Sequence, residues 1–396
     1  MKNEIFSFEK IPQSKLINYS YSLVNLSASI EKYCTGESNH TGLSALEPVL
    51  KKEYKNIILL LFDGMGMNVL EKFLSPESFI RKNLLCPIHS VFPPTTTAAT
   101  TTVMTGLTPG EHCWLGWTMF FPQLKLNQNV ALFPNLIQDT REKAGDFHVA
   151  EKFLPVMTLR DKINKTQDWN CDFVSAFGNK KVHSQKEMFE KILKVCESTG
   201  KKRNFIYGYQ THPDNLMHIT GTYSFAAKFS VLGINRALQK FCKKLYENPE
   251  TRNTLVLFTA DHGHTPVENI TLSDFPEFTE TLIRPASIEP RACNFFVKNE
   301  RKKEFEEKFQ QLFNKNGDFL LLSKEEVLSS GIFGSTDEEK EYHFDFYLGD
   351  FLAIALGNKA LVNSCASHHF KSHHGGLTRE EMMVPLGIVD VEKLRK

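Results

Sequence analysis

The chain has 396 residues, enough for one large α/β domain or for a core that carries a sizeable insertion. Hydrophobic residues make up 41% and charged residues 23%, and the formal net charge of +1 argues against a dedicated nucleic-acid surface. The eight cysteines are scattered without CxxC spacing, which points to reduced thiols and away from a disulfide-stapled or cysteine-bound metal fold.

The start, MKNEIFSFEK, carries no apolar signal segment, and the strongest apolar run, Ile57 to Phe62, is far too short to cross a bilayer. A cytoplasmic protein without membrane contact is expected. Residues 1–50 mix polar and apolar positions, with a loop-like stretch from Thr35 to Ser44, and read as an N-terminal extension. The run KNIILLLFDGMG then reads as a strand buried on both faces and stopped by Asp63-Gly64. NFIYGYQ (Asn204–Gln210) and NTLVLFTADHG (Asn253–Gly263) have the same texture. Helical patterns at Asn68–Phe73, Lys186–Val195 and Phe225–Tyr246 lie between them. This alternation predicts a mainly parallel central sheet with helices on both faces. Residues 270–366 differ in texture: CNFFVK, a charged amphipathic helix at ERKKEFEEKFQQLF, DFLLL, a capping box at Ser323 and Glu326, and two strands around Gly349. They are expected to form an inserted α/β cap, leaving 51–269 and 367–396 as the core.

Ligands gather at the carboxyl edge of such a sheet. Asp63, Asp214 and Asp261 all follow predicted strands. His218 stands four residues after Asp214 on one helical face, His262 adjoins Asp261, and His373 and His374 precede two glycines. Singly, each is an ordinary turn or solvated face. Together they predict a metal centre of His and carboxylate ligands, with zinc favoured and manganese the rival. Three aspartates and three histidines suit two neighbouring divalent ions that clamp an in-line displacement. The stretch FPPTTTAATTTVMTG, residues 92–106, adds six threonines between positions 95 and 102. A helix from about Ala98, closed by Gly106, would present a hydroxyl and a phosphate-attracting N-terminus. Thr95 or Thr97 is expected to cap it, and Thr100, Thr101 and Thr102 to bond back to carbonyls one turn earlier.

Taken in order, strand–DG, FPPTTTAATTTVMTGLTPGEHCWLGW, PDNLMHITG, ADHG and HGGLTREEMMVPL resemble the alkaline phosphatase superfamily, in its nucleotide pyrophosphatase/phosphodiesterase branch. The resemblance spans roughly residues 56–386. It implies Thr96 as the nucleophile, one ion on Asp63, Thr96, Asp261 and His262, and a second on Asp214, His218 and His374. It supplies no role for His212, His264, His373 or the pair His368-His369, which read as structural or solvated. The branch often carries a phosphoryl-binding asparagine three residues after the nucleophile, where this chain has Ala99.

The implied activity is hydrolysis of a small-molecule phosphate ester, a nucleotide among the candidates, through a phosphothreonine. The rivals are a phosphomonoesterase, phosphonate hydrolase or phosphomutase on the same scaffold, or a non-catalytic metal-bearing protein. Between Lys82 and Lys125 the chain has no Lys or Arg, which favours a singly charged diester; Arg291 and Lys371 are the distant cations that could reach in. Phe92, Trp114, Trp117 and Tyr209 are the aromatic candidates for packing against the leaving group.

Overall fold

A computed structural model describes residues 17–124, 127–176, 181–198, 200, 202–337, 343–364 and 370–394. His368-His369 and Lys125 fall outside the described residues. Six strands build the central sheet: β1 (Asn56–Phe62), β2 (Leu84–His89), β3 (Trp169–Val174), β4 (Arg203–Gln210), β5 (Thr254–Thr259) and β6 (Met383–Asp390). Their order is β2-β6-β5-β1-β4-β3. β1, β3, β4 and β5 run parallel, and β6 pairs antiparallel with both β5 and β2. β1 and β5 sit at the centre and are buried along their full length, so their unbroken apolar runs have no solvent face to encode.

Helices cover the sheet: α1 (Leu23–Thr35), α2 (Thr96–Thr105), α3 (Gln185–Glu197), α4 (Asp214–Thr220) and α5 (Phe225–Glu247). α3 and α5 meet where Phe189 stacks on Phe241, ring centroids 4.5 Å apart. α1 and α2 are tied by Ser27 Oγ, which donates to the Val103 carbonyl at 3.1 Å. Leu23, Val24, Leu26, Ile30, Leu43 and Leu46 all enter the main hydrophobic core. The segment from residue 23 is therefore structural core and not an extension. Its apolar positions follow a helical period that mixed composition hides.

A second sheet of seven antiparallel strands runs in the order Phe319–Ser323, Phe351–Ala355, Ala292–Phe295, Ser287–Glu289, Thr118–Phe120, Asn129–Ala131 and Leu136–Ile137. Three of these strands precede residue 140, so the unit is wider than 270–366. The join is made where Ile288 pairs with Thr118, a contact between segments far apart in sequence. One face of this sheet packs an aromatic cluster of Phe278, Phe295, Phe305, Phe309, Phe313 and Phe351, with Phe305 and Phe309 supplied by the helix Lys302–Leu312. Of the two strands expected around Gly349 only Phe351–Ala355 forms. Phe344–Tyr347 is a 3₁₀ turn that buries Phe344 and Tyr347, three residues apart and so on one side of a tight helix.

Candidate active site

The three aspartates follow β1, β4 and β5, which are neighbours in the sheet, so one carboxyl edge gathers them. Backbone contacts lock their positions. The Asp63 amide donates to the Gln210 carbonyl at 2.9 Å, and the Asp214 amide donates to the Asp63 carbonyl at 3.1 Å. Asp261 Oδ1 accepts from the amides of Gly64 and His262 at 3.1 and 3.0 Å. Gly64 adopts a φ of +71°, and a Cβ there would stand 2.9 Å from Asp214 Cβ. A Cβ on Gly263 would lie 1.8 Å from the Glu380 carbonyl oxygen, so only glycine lets the C-terminal segment close over this edge.

The threonine run folds as α2, which begins at Thr96, two residues before the expected start. Nine of its ten residues are buried. A buried hydroxyl without a partner is costly, and three of the helix threonines find theirs within the helix. Thr100, Thr101 and Thr105 each donate to the carbonyl four residues earlier, at 2.6, 2.7 and 2.7 Å. Thr102 departs from the expectation and meets His112 Nε2 at 3.1 Å. Neither expected cap operates. Thr95 is the N-cap residue, but its hydroxyl bonds Glu289 Oε1 and not the helix. The Thr97 hydroxyl has no hydrogen-bond partner. Gly106 closes the helix in the left-handed region, as expected.

Thr96 stands at the first helical position, 3.4 Å from Asp63 Oδ1 and 3.2 Å from His262 Nε2. His262 Nε2 lies 3.3 Å from Asp63 Oδ1 and 3.6 Å from Asp261 Oδ2. On the other side, Asp214 is 3.2 Å from His218 Nε2, 3.2 Å from His264 Nε2 and 3.8 Å from His374 Nε2. Tetrahedral ligands about 2.0–2.1 Å from a zinc ion stand about 3.3 Å from one another. The polar atoms are thus spaced as the edges of two coordination shells.

Four imidazoles share one arrangement. His218, His262 and His374 hold Nδ1 against the carbonyls of Ser372, Gly263 and Pro94, at 2.9, 2.8 and 3.1 Å. His264 holds Nδ1 against the Thr222 hydroxyl at 3.2 Å. All four turn Nε2 toward the carboxylates, the orientation that a hydrogen bond at the far ring nitrogen imposes on metal-binding histidines. Asp214 Oδ1, Asp261 Oδ2 and His264 Nε2 are buried without a hydrogen-bond partner, although His264 and Asp214 approach to 3.2 Å. A cation lying between these buried polar atoms would satisfy them. The residues fit two divalent ions.

The electrostatics agree. Burial, then Asp261 and Asp214, push the Asp63 carboxyl well above its ordinary range. Burial opposes charge on His262, yet Asp261 and Asp63 outweigh it and lift the ring to about 10. Burial holds His264 down to about 4 and His373 and His374 well below the usual value, which keeps these rings neutral. Among the described residues, the ion-pair partners of Asp63, Asp214 and Asp261 are all histidines.

Asp63, Thr96, Asp214, His218, Asp261, His262 and His374 therefore come together, and His264, read from sequence as bland, joins them. His373 is buried beside the cluster, with Nδ1 turned to its own neighbour's backbone. Three of the four aromatic candidates are buried. Phe92 is fully buried against Phe333; the Trp114 indole is buried and donates to the Leu154 carbonyl at 3.0 Å; and Tyr209 is buried with its hydroxyl on Asp63 Oδ2. Each fills a core position, and Tyr209 alone meets a site residue, steadying Asp63. Trp117 keeps 37% of its surface exposed.

Arg291 does not reach the phosphoryl position. It is fully buried and bidentate to Glu381, which in turn accepts from the Gly376 amide at 2.8 Å and so secures the loop bearing His374. Lys371 is exposed. Sequence reasoning missed Glu289 and Glu381 altogether.

The sequence model of the family described as type I phosphodiesterase/nucleotide pyrophosphatase matches residues 57–376. The chain belongs to that family of phosphodiester hydrolases. Among solved structures it is similar to murine ectonucleotide pyrophosphatase/phosphodiesterase 5, as an inactive Thr-to-Ala variant in complex with AMP, at 16% identity and a TM-score of 0.60, covering 85% of this chain and 87% of that one. The human protein of the same name matches at 16% identity and a TM-score of 0.60, covering 84% and 87%. These likenesses establish the alkaline phosphatase-like fold. No curated protein matches significantly.

Proposed function

We propose that the chain is a two-metal phosphodiesterase that acts on nucleotide-type esters through a phosphothreonine at Thr96. The observation that carries this reading is the position of the Thr96 hydroxyl, first in α2 and within 3.4 Å of both Asp63 and His262. Asp63, Asp261, His262 and Thr96 would hold one ion, and Asp214, His218 and His374, with His264 facing the same carboxylate, the other; His-rich donors favour zinc over manganese. Bound there, the two ions would lower the pKa of a hydroxyl or water and offset charge on phosphoryl oxygens.

The chain's own residues do the rest. Thr96 Oγ1 attacks phosphorus in line, its bond to phosphorus forms, and the ester bond to the leaving alcohol breaks. Free amides of the first turn of α2 receive a phosphoryl oxygen, in place of the asparagine that Ala99 replaces. Water then cleaves the phosphothreonine and restores the hydroxyl. Among the described residues no Lys or Arg pairs with the site's carboxylates, which favours a substrate with one negative charge over a monoester with nearly two. AMP in the murine relative suggests the nucleotide class to test.

The experiment is a comparison of nitrophenyl esters. A nucleotide nitrophenyl diester should be turned over with the higher kcat/KM, and a chelator should abolish the reaction. A tenfold preference for nitrophenyl phosphate, about 1.4 kcal/mol in transition-state binding, would move the assignment to a monoesterase.

A further inference from the structure

Glu289 is a buried carboxylate with no lysine or arginine ion pair among the described residues, an arrangement proteins seldom keep without a use. It ends the strand Ser287–Glu289 and follows Ile288, whose φ of +76° lies in the left-handed region that a β-branched residue avoids. That backbone is pinned from outside. Gly116 packs so closely that a Cβ there would stand 2.8 Å from the Ile288 carbonyl oxygen. The strained strand delivers Glu289 to the edge of the active site, where Oε1 accepts from the Trp117 amide at 2.9 Å and from the Thr95 hydroxyl.

Thr95 has every feature of a helix cap except the bond. It is the N-cap residue of α2, threonine is a favoured cap, and its φ and ψ of −131° and 148° are those from which a side chain caps. Its hydroxyl nevertheless goes to Glu289, and the helix is left without a side-chain cap. Near this uncapped end stand Asp214 Oδ1 and Asp261 Oδ2, buried oxygens that face histidines yet receive no hydrogen bond, where the ions of a phosphate ester site would lie.

We propose that Glu289 is a positioning residue that holds the Thr95 hydroxyl away from α2 and keeps the first-turn amides free for a phosphoryl oxygen. This rests on the phosphodiesterase reading above. It accounts for a chain that lacks an asparagine at Ala99: with that donor gone, an uncapped helix end carries more of the phosphoryl binding.

The test is competitive inhibition by orthovanadate in metal-loaded protein, with metal content and melting temperature recorded for each variant. Glu289→Leu removes the acceptor, lets Thr95 cap the helix, and should weaken vanadate binding at least about fivefold, the scale of one cap. Adding Thr95→Ala to Glu289→Leu removes the competing hydroxyl and should recover most of that loss. Glu289→Gln keeps an acceptor oxygen and should stay within about threefold of the parent. If Glu289→Leu does not fold, Glu289→Ala is read in the same way. A double variant as weak as the single one, or weaker, overturns the proposal, because a purely structural glutamate predicts additive losses. Parent protein that vanadate does not inhibit competitively would instead defeat the phosphodiesterase reading and this proposal with it.

Discussion

The two sheets contribute to the site in different ways. The central sheet supplies the groups that would touch ions and substrate: Asp63, Asp214 and Asp261 after adjacent parallel strands, with Thr96 at the head of a buried helix. The second sheet supplies no expected metal ligand. It brings Glu289 against Thr95 and Arg291 against Glu381, contacts at the head of α2 and at the His374 loop. Reaction chemistry and its support thus sit on separate scaffolds, and changes in the two regions should fail differently.

The largest effects belong to the central sheet. Thr96→Ala, or removal of the ions by a chelator, should lower turnover by roughly 10³-fold or more while the protein stays folded. Circular dichroism and metal analysis beside the assay check that the loss is chemical. Residual activity above about a hundredth would blur the distinction between the regions.

Next comes the ion pair of the second sheet. Glu381→Gln leaves Arg291 buried with its charge uncompensated and should destabilise the fold by about 3–5 kcal/mol. Denaturant unfolding measures it, and a change under about 1 kcal/mol would mean that the second sheet supports the His374 loop by other contacts.

Glu289 should show itself through pH. Burial raises its carboxyl from 4.5 to about 7. In metal-free protein the folded state therefore keeps this proton to higher pH than the unfolded chain. Its contribution is fully present below the unfolded pKa and is lost as pH rises toward about 7, by up to roughly 3 kcal/mol. Glu289→Gln should flatten that part of the stability curve, read by thermal melts across pH 4 to 8.

The smallest effect is expected in the threonine run. Thr101→Val removes a hydroxyl that bonds only its own helix at 2.7 Å and keeps the shape, so stability should change by less than about 1 kcal/mol.

What was legible in the sequence follows the same division. Asp63-Gly64, Asp214 with His218, and Asp261-His262 are local signals: a buried strand ends, and a ligand type stands at its edge. The helix of threonines was legible to within two residues of its start. Glu289 was not, because SIEPR carries no sign that a distant strand at Thr118 will pair with Ile288 and turn the carboxylate toward Thr95. Arg291 was noticed as a cation, but its partner lies ninety residues away and only tertiary contact reveals it. His264 was set aside because the family resemblance gives it no role; the turn after β5 brings it to Asp214. Phe92, Trp114 and Tyr209 turn out to be buried, which sequence does not reveal because core and lining aromatics look alike there.

The central claim is that Thr96 forms a covalent bond to phosphorus. Rapid acid quenching during turnover of a slow nucleotide ester, followed by peptide mass spectrometry of residues 92–106, tests it directly. The expected result is a phosphorylated peptide with the group on Thr96, absent from Thr96→Ala. Phosphate on Thr95 or Thr97 instead, or no adduct while a burst of product is released, would contradict it.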